Sequence, residues 1–134
     1  MSANRSMPES TVTPVLGYAS ATEAADWLCE AFGFRRRLVI GDHRVQLTFG
    51  DGAVVATDGG GTAGGSDSVM VRVDDVDAHH ERALAAGARI VMPPEDYPYG
   101  ERQYTVEDPA GHRWTFSQSV ADVDPADWGG ELVD

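Results

Sequence analysis

The side chains that could do chemistry here are few and scattered. Four histidines are present, His43, His79, His80 and His112. His79 and His80 are adjacent on a helical pattern, so they point about 100° apart and cannot chelate one ion. His80 shares a helical face with Val76, Ala83 and Leu84, which suits a half-buried packing role. His43 and His112 fall at a strand start and in a turn, and read as surface residues. Cys29 is the sole cysteine; it excludes an intrachain disulfide and a multi-thiolate zinc site, and in an apolar-periodic segment it reads as a small core residue. No nucleophile–base pair is evident, so catalytic residues stay unassigned. The richest cluster is "EDYPYGER", where Tyr97, Tyr99, Glu101 and Arg102 could stack on and orient a ligand. The plainer alternative is a surface pair of Glu101 and Arg102 with the tyrosines wedging a loop.

The elements that must position these groups are legible from periodicity. "TPVLGY" reads as a strand. "SATEAADWLCEAFGF" reads as a helix, with Ser20 and Glu23 at capping-box spacing, Ala24, Leu28, Ala31 and Phe32 on one face, and Gly33 as the stop. "RRRLVI", "HRVQLTF" and "AVVAT" follow as strands, with Val45, Leu47 and Phe49 alternating against Arg44, Gln46 and Thr48. The Gly-rich "DGGGTAGGSD" reads as a flexible linker. No lysine follows it and it opens no helix, so it makes a poor phosphate cradle. The pattern then repeats. "SVMVRV" is a strand and "DDVDAHHERALAAG" a helix capped by Asp75. "ARIVM", "RQYTVED" and "RWTFSQS" are strands, with "PPEDYPYGE" as a loop and "PAGH" as a turn.

Each half therefore reads strand, helix, then three strands, offset by about 55 residues. The expected fold is α+β, with two tandem βαβββ modules at 13–57 and 68–117 joined by a linker at 58–67. Together they form a domain over 13–118. Residues 1–12 read as a disordered segment and 119–134 as an acidic tail anchored by Trp128. The repeat, with "EAADWLCEAFGF", "VDDVDAHHERALAAGA" and "YGERQYTVEDPAGHRWTF", resembles the vicinal oxygen chelate superfamily of glyoxalases, extradiol dioxygenases and bleomycin- and fosfomycin-resistance proteins. The last segment is similar to the bleomycin-resistance-like and PhnB-like branches. The resemblance implies a curved mixed sheet around a ligand cup, and commonly a homodimer.

Members of that family place His, Gln or Glu metal ligands on strands facing the cup. Carried over by position, those sites fall at Thr13, Ala56, Ser68 and Thr115, none a good metal ligand. The resemblance thus implies no metal and no other cofactor. Strand alternation puts Val69, Val71, Val73, Trp114 and Phe116 in the core. It turns Ser68, Met70, Arg72, Arg113, Thr115 and Ser117 to the cup, with Thr13, Val15, Gly17, Gln46, Thr48 and Ala56 completing the lining. The candidate ligand-binding set is Gln46, Thr48, Met70, Arg72, Tyr99, Glu101, Arg102, Arg113 and Thr115. A one-residue slip in register would invert it.

With 22 acidic and 10 basic residues, the net charge of −12 argues against nucleic acid and anionic membranes as partners. No apolar run reaches membrane-span length, and the polar "MSANRSMPEST" carries no secretory signal, so a cytoplasmic bacterial protein is expected. The functional expectation is metal-independent binding of a small molecule. The alternatives are a glyoxalase- or dioxygenase-like metalloenzyme, and a metal-free lyase or isomerase using Glu101, Tyr99 or His112 for proton transfer.

Overall fold

A computed structural model describes residues 4–59 and 67–132. The chain divides into two compact units, residues 1–63 and 64–134. Most of the glycine-rich linker, 60–66, lies outside the described residues.

The first unit runs β1 (Val15–Tyr18), α1 (Ala21–Phe32), β2 (Arg35–Ile40), β3 (Arg44–Phe49) and β4 (Gly52–Asp58). Its sheet has the order β1-β4-β3-β2, with β1 parallel to β4 and the other pairs antiparallel. A parallel pair needs a crossover, and α1 begins it. Ser20 caps α1 by accepting from the Glu23 N–H, and Gly33 ends it at φ 87°. The buried stripe is Ala21, Ala25, Leu28, Ala31 and Phe32, so Ala25 takes the place expected of Ala24.

The second unit repeats this order as β5 (Ser68–Arg72), α2 (Val76–Ala85), β6 (Arg89–Tyr97), β7 (Glu101–Glu107) and β8 (Arg113–Ser119). Its sheet order is β5-β8-β7-β6, with β5 parallel to β8. The chain is thus α+β with two tandem βαβββ modules, hydrogen-bonded as two four-stranded mixed sheets. One repeated device locks each helix to its sheet. Asp58, ending β4, accepts from the Ala21 N–H at 2.7 Å. Gln118, near the end of β8, accepts from the Val76 N–H at 2.9 Å. Each satisfies a first-turn donor that no helical carbonyl can reach.

The core of the second unit stacks Trp114, Phe116, Tyr104 and Val106 under α2, all essentially buried. His79, not Leu84, completes the packed face of α2. Its ring lies 4.0 Å from that of Phe116, and Nδ1 is 2.6 Å from the Tyr104 hydroxyl. Leu84 is 46% exposed, whereas Ala83 beside it is fully buried, so the last turn of α2 turns Ala83 rather than Leu84 to the core. His80 packs edge-on against Tyr104 at 5.2 Å, in keeping with its expected half-buried role.

One strand runs longer than its sequence reading, and both terminal segments make contacts. The strand β6 continues through Pro93 and Pro94 to Tyr97, where a loop was expected, with register shifts between Ile90 and Glu95. β6 is the edge of its sheet, where a missing N–H is tolerated. Within the expected disordered segment, the Arg5 and Ser6 carbonyls accept hydrogen bonds from Arg37 and Gln46. In the acidic tail, Pro125–Trp128 forms a 3₁₀ turn, and Trp128 tilts against Tyr99 at 5.4 Å between ring centroids.

Burial holds the Tyr104 phenol above its ordinary value of 10.0. The unfolded phenol ionises first as pH rises, so stability is full below that value and is lost above it. Tyr99 and Cys29 shift the same way. Urea unfolding should therefore show stability falling as pH climbs past the ordinary phenol value, with a shallower fall in Tyr104→Phe. Equal slopes in the two proteins would contradict this.

Candidate ligand face of the second sheet

The segment "DPAGHRWTF" sets the site. Asp108 is only 4% exposed, and its carboxylate does three jobs. Oδ1 accepts from the Ala110 and His112 N–H groups at 3.1 and 3.0 Å, closing the turn. Oδ2 accepts from Trp114 Nε1 at 3.1 Å. A buried carboxylate needs such donors, and a buried indole N–H needs such an acceptor. Each therefore fixes the other. With Trp114 pinned into the core, alternation along β8 turns Arg113, Thr115 and Ser117 to the face without a helix.

Register builds that face row by row. Thr115 stands opposite Thr105, their hydroxyl oxygens 3.1 Å apart, with Met70 beside it on β5 and Met92 opposite Thr105 on β6. Met70 is 63% exposed and Met92 42%. The next row carries Arg113 and Glu107, paired at 3.3 Å, with Arg89 a further 3.5 Å from the same carboxylate. On the other side lie Arg72, Ser117, Gln103 and Glu95. Here the hydrogen bonds have one polarity. Tyr99 donates to Gln103 Oε1 at 3.2 Å, and Gln103 Nε2 donates to Ser117 Oγ at 3.0 Å. Ser117 in turn donates to Glu101 Oε1 at 2.6 Å. A carboxylate only accepts, so it directs the chain. Burial, with the Tyr97 and Glu101 charges, pushes the Tyr99 phenol up. Its ring stacks on Tyr97 at 5.5 Å and 14°.

Six of the nine candidate residues thus meet on one face of the second unit: Met70, Arg72, Tyr99, Glu101, Arg113 and Thr115. Arg72 is exposed and makes no ion pair among the described residues. Arg102 lies on the opposite, helix-bearing face, tied to Asp77 of α2 at 3.0 Å and Asp96 at 3.2 Å. The two aspartates hold its guanidinium above its ordinary range. Its neighbour Glu101 faces the other way because strand residues alternate. Gln46 and Thr48 belong to the first unit, on the helix-free side of β3, opposite Val55 and Ala53. Gln46 is buried there beneath the Arg5–Ser6 backbone.

Ala56 is a correction. It pairs with Val45 and Leu16 on the helix side of the first sheet, so Val55 is the residue that faces away from α1. The assignment had slipped by one residue. Thr105, Gln103 and Met92 went unremarked in the sequence. The first two follow from alternation in "RQYTVED"; Met92 lies in the expected strand "ARIVM", but a register shift between Ile90 and Met92 breaks the alternation that would have assigned its face.

A divalent metal does not fit these residues. Val55 and Thr115, the outward positions of the closing strands, offer no charged donor. Ser68, opposite Arg113, offers only a hydroxyl beside a cation. No group of three or more His, Cys, Asp or Glu among the described residues could hold an ion.

The model of the glyoxalase/bleomycin resistance protein/dioxygenase superfamily matches residues 13–116, and the chain belongs to this family. It is 40% identical to TioX from Micromonospora sp. ML1, with a TM-score of 0.70, over 82% of this chain and 98% of that one. A second crystal structure, the fosfomycin resistance protein FosX from Mesorhizobium loti, superposes with a TM-score of 0.65. It is 21% identical over 84% of this chain and 93% of its own, a likeness of fold. An uncharacterized protein of Mycobacterium tuberculosis is 45% identical over 56 residues, 42% of this chain. That match spans 33% of the mycobacterial protein, so the chain covers about a third of this curated relative.

Trp114→Ala should cost roughly 3–5 kcal/mol of stability through the lost area, the cavity and the stranded Asp108 carboxylate. Thr115→Glu should cost less than about 1 kcal/mol, because a carboxylate on the open face stays solvated. Urea denaturation of both variants checks the pair; the reverse order would mean that β8 is inverted.

Proposed function

We propose that this chain binds a small molecule without a metal, on the helix-free face of the second sheet. The observation that carries the reading is the row Met92–Thr105–Thr115–Met70. Two hydroxyls that both donate and accept sit between two exposed thioethers, at the position where the resemblance would put a metal carboxylate. Methionine is adaptable and polarisable, and exposed pairs of it suit an irregular apolar ligand. Arg72 and the polarised Glu101 chain flank the row, one able to meet an anionic group and the other a donor group. Of the activities in the family's description, resistance-type sequestration needs no metal ligand, and this residue set supports it best. A metal-free lyase or isomerase is the second reading. It rests on Glu101, whose carboxylate is oriented by Ser117 at 2.6 Å and could serve as a base.

A homodimer and a cytoplasmic setting complete the proposal. Exposed Val39 and Ile40 on the edge strand β2 support self-association. No helix among the described residues is long and apolar enough to cross a membrane.

Methyl NMR of methionine-labelled protein, screened against a small-molecule library in chelator-containing buffer, tests the reading. Ligands should shift the Met70 and Met92 methyls without added metal, and Thr115→Val should weaken those ligands by about tenfold, the worth of one or two hydrogen bonds. Ligands that shift neither methionine, or that bind only once metal is added, would refute it. Light scattering should give twice the chain mass at micromolar concentration; a monomer would remove the dimer from the account.

A further inference from the structure

The helix-free face of the first sheet already holds an occupant. Arg37, on β2, donates through Nη1 to Gln46 Oε1 at 2.6 Å and through Nη2 to the Arg5 carbonyl at 2.9 Å. Gln46 Nε2 donates to the Ser6 carbonyl at 2.9 Å. The amide orientation is forced. Arg37 has only donors and the Ser6 carbonyl only accepts, so Oε1 must face the guanidinium and Nε2 the backbone. Gln46 is 4% exposed, and both its polar ends are satisfied. The clamp reads backbone, since both of its acceptors are main-chain carbonyls, those of Arg5 and Ser6. Met7 N–H to Asn4 O, at 3.1 Å, closes the segment into a turn that presents the two carbonyls together.

We propose that Arg37 and Gln46 form a recognition site for two neighbouring amide carbonyls, and that residues 4–7 fill it in cis as a tethered competitor. The class of ligand that fits is therefore a molecule with a peptide-like pair of carbonyl acceptors. To bind, it must displace the chain's own N-terminal segment. If the segment is released with nothing in its place, the Gln46 amide and one arm of the Arg37 fork are uncovered and are met by water, which is not held as a fixed pair of acceptors. A ligand that brings two carbonyls in one molecule restores both bonds at once. This site lies on the first unit and does not depend on the reading given for the second sheet.

The Arg5–Ser6 bond is itself a trypsin site, and its carbonyl is the one held by Arg37, so tryptic cleavage of the full chain reports release. Cleavage followed by intact mass should be about tenfold slower in the folded chain than in an isolated peptide of residues 1–12, as expected for a charged hydrogen bond and its neighbour. Arg37→Met and Gln46→Met should each restore fast cleavage, with the thermal midpoint monitored so that unfolding is not mistaken for release. Ser6→Ala should stay protected, because only its carbonyl is used. Added in excess, an acetylated and amidated peptide of residues 4–10 with alanine in place of Arg5 and Ser6 should speed cleavage of the wild-type chain, and do nothing to Arg37→Met. Wild-type cleavage as fast as in the free peptide would overturn the clamp. Protection that the added peptide never relieves, at any concentration reached, would overturn the competitor.

Discussion

The buried carboxylate of Asp108 is the constraint on which the second sheet depends. It satisfies two N–H groups of its own turn and the indole N–H of Trp114 six residues on. A carboxylate this deep is stable only when its lone pairs are met, and Trp114 can enter the core only when its N–H is. The turn and the core residue are thus solved together, and the phase of β8 follows. Every other strand inherits that phase through register: Thr105 opposite Thr115, Met70 beside it, and Gln103 opposite Ser117. The same segment that packs the core thereby decides which side chains a ligand can reach.

What that face offers differs from a metal centre in kind. A metal site concentrates negative charge and convergent lone pairs. Here Glu107 is committed to two arginines and Glu101 to Ser117, while Glu95 stands exposed on the edge strand β6. The centre is left to hydroxyls and thioethers. Such a surface suits neutral or mixed ligands held by many weak contacts, and binding of that sort needs no reaction. The two units also divide their labour. The first closes its helix-free face with the chain's own backbone over Gln46, while the second leaves Met70 open.

Much of this was legible in the sequence because the controlling signals are local. The capping serine and the left-handed glycine bound α1, and strict alternation set the faces of β3 and β8. Ser20, Gly33, Trp114 and Thr115 stand where those rules put them. The misses share a cause, since each depended on something outside its own window. Pro93 and Pro94 broke a strand pattern that an edge position tolerates. Ala56 lies in the run "AVVA", buried on both faces, where alternation carries no phase; only its pairing with Val45 reveals its side. Arg102 sits next to Glu101, and proximity in sequence concealed that strand neighbours face apart. Its partner Asp77 is 25 residues away. The contact of Ser6 with Gln46, 40 residues on, had no local signal at all.

The central claim is that the face built around Thr115 works without a metal. Calorimetric titration of chelator-treated, dialysed protein with Zn²⁺, Ni²⁺, Mn²⁺ and Fe²⁺ addresses it most directly. No saturable site should appear at micromolar concentration, because among the described residues no three His, Cys, Asp or Glu side chains converge. One ion bound per chain at that concentration, with the site lost in Thr115→Val, would contradict the account.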